Sequence, residues 1–466
     1  MSDQRPILVP LDLSNLLESG LASQAHGGVR KLHRRRTHAS SDDEYRNLPL
    51  DATPTAASSH DNNFVEVPEH LISRATLTYV GYTDGKADEL WYRWTHWPAD
   101  GPRREVDNVS GELYMTFKDF ITSHIGISDS FPDNTWGDQT HRWIQCLRRY
   151  GINEDTISAI LEPYFENIRR TKTCAFWAKD TVNIRYAGIE EMSRESHRRA
   201  ADHDSSTRRG HTTRLSVHQA TSSPAAAASS DPTTTGSGAT AIRVAIDLAA
   251  RNAPGYTLLY RGMDKALTRG LFRDDGTVRS FKQLVSGPPT DFSGNVSKYY
   301  FTPQFQVAET DAAYTKNRGG CVAVVIVAIR VPNQAIQTLQ HPAIQRLHWP
   351  NPDWANFVWH SRRNETLPKH LRTYRTARLL IGHIATHPNQ VYERMESPSA
   401  ISDADILRVE GRKGTTKAIQ FVYSDDDDTR EWLWENGAQT TKLFEFKQED
   451  LEAVEKAMSS GEGYEL

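Results

Sequence analysis

Cysteine is scarce in this chain, and the three present, Cys146, Cys174 and Cys321, share no C-x-x-C or Cys/His spacing. That argues against a disulfide framework and against a structural zinc site. Long apolar runs are also missing. The longest, Cys321 to Ile329, is about half of what a membrane-spanning helix needs, and its β-branched residues make it a buried strand instead. The amino terminus, MSDQRPILVPLDLSNLLESG, carries acidic residues and a proline and never builds the apolar core of a secretory signal. Nor does charge of one sign dominate: 55 basic and 59 acidic residues leave a net charge of -4, so no global field draws the molecule onto nucleic acid or anionic lipid. These absences predict an intracellular protein, cytoplasmic or nuclear and not secreted, with no membrane partner.

What is present divides the 466 residues into regions of different texture. Residues 1–64 are polar and aperiodic and predict a disordered arm. Within it, the run from Arg30 through Arg34, Arg35 and Arg36 is either a solvated charge cluster or a nuclear-import or phosphate-binding patch. Residues 65–188 predict a separate small α+β domain of no recognised family. There Leu77–Tyr82 and Leu90–Trp94 read as a hairpin about Asp84-Gly85, followed by helices over 113–125, 140–150 and 157–164. Trp91, Trp94 and Trp97 suit either an aromatic cage or ordinary packing. Residues 189–239, rich in Ser, Thr and Ala, predict a disordered linker, and 451–466 a C-terminal tail.

The region 240–450 carries the functional signal. Its pattern predicts a helix over 240–250, a strand over 256–262, a short strand over 298–302 running through Pro303 into a helix that ends at Gly319-Gly320, and a long strand over 322–331. Leu-Tyr-Arg261-Gly262 on a strand, Tyr300-Phe301-Thr302 entering a helix and a later strand Lys417-Ala-Ile-Gln420-Phe-Val-Tyr423 together resemble the split antiparallel β-sheet core, with flanking helices, of the ADP-ribosyltransferase superfamily. That resemblance implies an α+β fold and NAD as substrate, with no metal.

By the same resemblance, Arg261, Thr302 and Gln420 would be the catalytic set, and Arg261, Gly262, Tyr300 and Phe301 would bind the dinucleotide. Arg261 would grip ribose or pyrophosphate through its planar donors, Gly262 would bring bare backbone to the nicotinamide amide, and Tyr300 or Phe301 would stack on the ring. Each residue type also has an ordinary structural use: aromatics in a short strand are commonly core, and Thr before Pro is a common helix start.

Gln420 departs from the family pattern, which places a Glu there. An amide can accept the ribose hydroxyl hydrogen bond but adds no charge to favour a cationic transition state. Glu365 is the alternative carboxylate, the Trp-rich stretch between Pro350 and Pro368 is either a lid or packing, and Asp425–Asp428 reads as a helix cap. The expected function is NAD-dependent mono-ADP-ribosyl transfer, a glycosyl transfer, to a protein or nucleic-acid target. A catalytically weak or inactive module that binds NAD or ADP-ribose, and a nucleic-acid-associated regulator, are the competing classes.

Overall fold

The computed structural model describes residues 5–50, 62–101, 104, 115–126, 134–212, 240–273, 275–411 and 414–460. Twelve strands are described: β1 (Val29–His33), β2 (Phe64–Pro68), β3 (Tyr256–Asp264), β4 (Val285–Ser286), β5 (Lys298–Phe301), β6 (Val324–Pro332), β7 (Ile344–Leu347), β8 (Leu379–His383), β9 (Arg408–Gly411), β10 (Gly414–Lys417), β11 (Ile419–Ser424) and β12 (Lys442–Phe446). The fold is mixed α+β. Two sheets dominate the C-terminal half: an antiparallel three-stranded sheet in the order β12-β6-β3, and a five-stranded sheet in the order β4-β5-β11-β8-β7, antiparallel except where β7 joins β8.

The first sheet is a partition because its side chains alternate faces. On β6, Val325, Val327, Ile329 and Val331 enter a core shared with Tyr299, Phe301 and Tyr423 of the second sheet. Val324, Ile326 and Ala328 enter a different core, shared with helix Phe305–Gly319 and with the N-terminal half. The apolar run therefore reads as a strand buried on both faces, as its composition predicts.

Among the described residues one backbone bridge joins the two sheets. Tyr260 of β3 and Thr302, just past β5, exchange both backbone hydrogen bonds, at 2.7 and 3.0 Å. Helix Phe305–Gly319 begins three residues later and lies across β3 so closely that a Cβ on Gly262 would fall against the Ala308 carbonyl and within 2.7 Å of the Ala312 nitrogen. Packing of a helix backbone onto a strand is thus enough to require glycine there.

The N-terminal half departs from its sequence reading in three places. Residues 5–50 are folded rather than a disordered arm: helix Pro10–Glu18 buries Leu16, β1 pairs with β2, and Ile7, Leu8 and Leu32 enter the core. Of the basic run, Arg35 and Arg36 pair with Asp42, Arg30 with Glu69, and Arg34 donates to the Asn62 carbonyl and the Cys321 sulfur, so these arginines are committed within the molecule.

The hairpin is two helices, Arg74–Tyr79 and Asp84–Thr95, because Ser73 and Thr83 cap their first turns; both caps outweigh local β propensity. Trp94 accordingly faces the core, edge-on to Phe117 and Trp97, with Arg104 over it at 4.9 Å. The aromatic cluster is packing.

Residues 189–212 belong to helix Cys174–Thr212, on which Ser196 and Arg199 hold the buried Asp12 at 2.6 and 2.8 Å. The rest of the expected linker, 213–239, lies outside the described residues. Likewise 451–460 continue helix Gln448–Ser460, which buries Leu451 and Val454, and 461–466 lie outside.

Polar anchors join the halves where that shared core ends. Lys316 meets Glu44 at 2.6 Å with both side chains buried, and His38 reaches the other Glu44 oxygen at 3.2 Å. Arg318 pairs with Asp180 at 2.7 Å and lies over Trp177 and Tyr314. Burial works to raise the Glu44 carboxyl, but the His38 hydrogen bond and the Lys316 charge pull it down to about 2, while burial pushes the His38 imidazole below its usual value.

Two outcomes follow from this packing. Gly262→Ala destabilises the chain by roughly 1–3 kcal/mol or more, because the helix must move off β3, and urea unfolding of the full chain measures it. The Glu44 anchor makes the fold acid-labile. Both folded-state values are depressed, so the unfolded chain binds protons first, and stability present above pH 6.5 falls as pH drops through the His38 range and then below 4.5 toward the Glu44 value. Glu44→Gln costs roughly 3–5 kcal/mol at pH 7 by leaving Lys316 buried without its carboxylate, and it flattens the lower part of that pH dependence in urea titrations.

Candidate functional site

Between the two sheets, beside the Tyr260–Thr302 junction, lies a cavity of about 650 Å³. Arg261, Gly262, Tyr300, Phe301, Thr302 and Gln420, drawn from β3, β5 and β11, all border it. A second lobe of about 620 Å³ adjoins it, walled by Tyr164, Asn167, Gln306, Thr310, Leu407 and Met458 among others, and shares Lys172, Thr290, Tyr300, Asp311 and Gln420 with the first.

Arg261 is held from the side. Its guanidinium donates to the Leu284 carbonyl and to Ser286 Oγ at 3.2 Å, so the short strand β4 fixes the fork at the cavity rim. Removal from water pushes its pKa down, opposed by the nearby charge of Asp311. Tyr300 and Phe301 point to opposite faces, as neighbours on a strand must. Tyr300 faces the cleft, its hydroxyl bonded to Thr290 Oγ1, whereas the Phe301 ring is buried against Tyr423. Thr302 is buried and its Oγ1 accepts from the Gln304 amide at 3.1 Å, which is the helix-start role.

Gln304 closes this corner, its Oε1 accepting from the Ile419 amide at 2.7 Å and so tying the helix entrance to β11.

Gln420 sits in β11 opposite Gly382 of β8 and is 5% exposed. Its Nε2 donates to Asp291 Oδ2 at 2.8 Å and to the His383 carbonyl at 3.2 Å. Both partners accept only, so the amide orientation is set, and among the described residues Oε1 is left as a free acceptor. Asp291 is itself buried and takes Arg362 Nε at 2.6 Å and the Ala385 amide at 2.8 Å. The Asp291 side chain, paired with Arg362, thus stands one hydrogen bond behind the neutral Gln420.

Two further ionisable groups border the cleft. Asp311, one turn beyond Val307 on helix Phe305–Gly319, is pushed up to about 7 by burial against the pull of Arg261 and Arg318. Lys172, just before helix Cys174–Thr212, is pushed down to about 8 by burial and by the Arg362 charge, against Asp291 and Asp180. Lys172, Thr173 and Phe176 bring the N-terminal half into the wall of the site.

The residues expected from the sequence, Arg261, Gly262, Tyr300, Phe301, Thr302 and Gln420, come together at one cavity, and Asp291, Asp311, Arg362, Gln304 and Lys172 were not among those expected. None of the missed residues stands in a recognisable motif; the signal for Asp311 was a charge beside the inward-facing Ala308 and Ala312 of its helix. Glu365 borders neither lobe, being paired with Arg363 at 2.7 Å and His360 at 3.4 Å. The Trp-rich stretch forms helix Pro352–Arg362, which buries Trp354, Phe357 and Val358 beneath the second sheet, so it is packing and not a lid. Asp426 caps helix Asp427–Gly437 through the Thr429 amide at 2.8 Å. Among the described residues no cluster of metal-ligating side chains occurs and no helix is long and apolar enough to cross a membrane.

Comparison with family models, with curated proteins and with solved structures gives no match.

The Asp291 contact decides what a glutamate introduced at position 420 does. Gln420→Glu sets a second carboxyl against Asp291, and like charges at hydrogen-bond distance raise the proton affinity of the pair. The folded value of the introduced carboxyl is raised, so its protonated form is stable at low pH and the variant loses on the order of 1–3 kcal/mol as pH rises toward 7. Urea midpoints at pH 5 and 7 check this; a variant as stable as the parent at both would contradict the contact.

Proposed function

We propose that the cleft binds NAD and that the protein is an ADP-ribosyltransferase-like glycosyltransferase acting on a macromolecular acceptor, protein or nucleic acid. The observation that carries this reading is the convergence of Arg261, Gly262, Tyr300, Thr302 and Gln420, separated along the chain, around one cavity of about 650 Å³. That volume falls within the roughly 300–1,000 Å³ of small-molecule sites. Further support comes from two sheets, antiparallel save for the β7–β8 pair, joined at a corner with the cleft between them, as in a split-sheet core.

In this reading Arg261 orients ribose or pyrophosphate with donors already fixed by β4, which limits the entropy lost on binding. Tyr300 offers the stacking face; Phe301, turned into the core, does not. Gln420 Oε1 accepts the hydrogen bond of the ribose 2′-hydroxyl. Breaking the bond from nicotinamide to C1′ builds positive charge on the ribose, and the buried Asp291 behind Gln420 contributes a negative potential there in place of a glutamate.

A second reading, NAD or ADP-ribose binding without turnover, is favoured by the neutrality of Gln420 and by the neutralisation of Asp291 by Arg362.

Calorimetry with NAD and assay of nicotinamide release separate the two. The unaltered chain is expected to bind NAD and to release nicotinamide, and Arg261→Ala to lose roughly 10- to 100-fold in affinity, the worth of a charge-assisted hydrogen bond. Binding without release selects the second reading. Absence of binding in the unaltered chain sinks both.

A further inference from the structure

The cleft has two lobes and a neck between them. The first lobe is bounded by Arg261, Ser286 and the segment through Thr290; the second by Tyr164, Asn167, Gln306 and Thr310. Gln420 and Asp311 border both, so they flank the neck. Asp311 stands there because of helical spacing: Gln306, Val307, Thr310 and Asp311 lie on one side of helix Phe305–Gly319, while Ala308 and Ala312 pack against Gly262 of β3.

Among the described residues no hydrogen-bond donor is placed on the Asp311 carboxylate. Its stabilisation comes through space from Arg261 on β3 and Arg318 on its own helix. Other carboxylates near the cleft are occupied: Asp291 by Arg362, Gln420 and the Ala385 amide, and Glu309 by Arg243 at 2.7 and 3.0 Å.

Resting on the NAD-cleft reading, we propose that Asp311 is the base of the reaction, taking the proton of an O–H nucleophile, water or a hydroxyl of the acceptor, that enters through the second lobe. If Gln420 holds the ribose 2′-hydroxyl, C1′ lies at the neck and the second lobe is the approach opposite the leaving nicotinamide. The nucleophile oxygen forms the new bond to C1′. The bond from C1′ to the nicotinamide nitrogen breaks, its electron pair stays on that nitrogen, and nicotinamide leaves neutral. The O–H proton passes to the Asp311 carboxylate and then to solvent.

The walls of the second lobe suit this class of nucleophile. Asn167, Thr171, Gln306 and Thr310 offer neutral hydrogen-bonding groups, and Tyr164, Ile168, Leu407 and Met458 offer apolar surface. A base is most effective when its proton affinity matches the working pH, and burial brings Asp311 to about 7. The other charged groups bordering the cleft are Lys172 from the turn before helix Cys174–Thr212, Arg261, Asp291, Arg362 and Arg408 of β9. Lys172 is pushed down to about 8, so its titration has to be separated from that of Asp311.

The experiment incubates the full chain with NAD labelled on the adenylate and follows nicotinamide, free ADP-ribose and protein-attached label from pH 5.5 to 8.5. Free ADP-ribose reports water as the nucleophile, and attached label reports an acceptor hydroxyl. In the unaltered chain, and in Lys172→Met, the rate is expected to rise with pH through about 7, because Asp311 must lose its proton to act. Asp311→Asn, nearly isosteric, is expected to lose about 10²- to 10⁴-fold in rate and the whole of that rise, with NAD affinity by calorimetry changed by less than about tenfold. Asp311→Glu is expected to restore part of the rate and the pH dependence.

Turnover in the unaltered chain, with Asp311→Asn matching it in rate and pH profile, overturns the assignment of Asp311 and leaves the cleft reading standing. Absence of both NAD binding and turnover in the unaltered chain overturns the two together.

Discussion

Two backbone hydrogen bonds, between Tyr260 and Thr302, set the geometry of everything around the cleft. They bridge two sheets whose facing side chains share a core, and they do so at residues flanked by functional candidates on both strands. Arg261 follows Tyr260, and Gln304, which ties the helix entrance to β11, follows Thr302 by two residues. The junction is local, yet a buried backbone pair left unmade costs about 1–3 kcal/mol per group. The glycine at 262 then allows helix Phe305–Gly319 to settle on β3 with its Gln306–Asp311 face turned to the cleft. Strand pairing, glycine and helix direction form one mechanical unit.

Electrostatics at the site are arranged around a neutral amide. A glutamate at 420 would meet Asp291 head-on, so Gln420 and Asp291 are a matched pair: the amide satisfies one carboxylate oxygen and keeps its own carbonyl available. Arg362 then compensates the Asp291 charge, and a buried, fully hydrogen-bonded pair of this kind specifies geometry more than it adds stability. Position 420 thus carries an amide with a paired carboxylate directly behind it.

The elements legible in the sequence were those whose burial is written locally. β3, β6, β8 and β11 are short apolar runs rich in β-branched or aromatic residues, and helix Ala241–Arg251 shows its apolar stripe, so period and composition suffice. Residues 5–50 failed the same test because their polar side chains are buried through distant partners. Asp12 is held by Arg199, and Glu44 by Lys316, and no local window contains both members of either pair. The helices at 74–79 and 84–95 were hidden for a different reason, since their aromatic content suggests strands while Ser73 and Thr83 cap them as helices.

The same contrast explains which site residues were found. Arg261 announced itself because a guanidinium in an apolar strand demands a partner or a ligand, a cost visible from sequence alone. Asp311 did not, because an acidic residue in an amphipathic helix is ordinary until the fold shows which face meets water. That face meets the cleft, and the wall opposite is supplied by Lys172, Thr173 and Phe176 from the other half of the chain. The N-terminal half shares its core with β6 and helix Phe305–Gly319, and so is part of the site's architecture rather than a module tethered beside it.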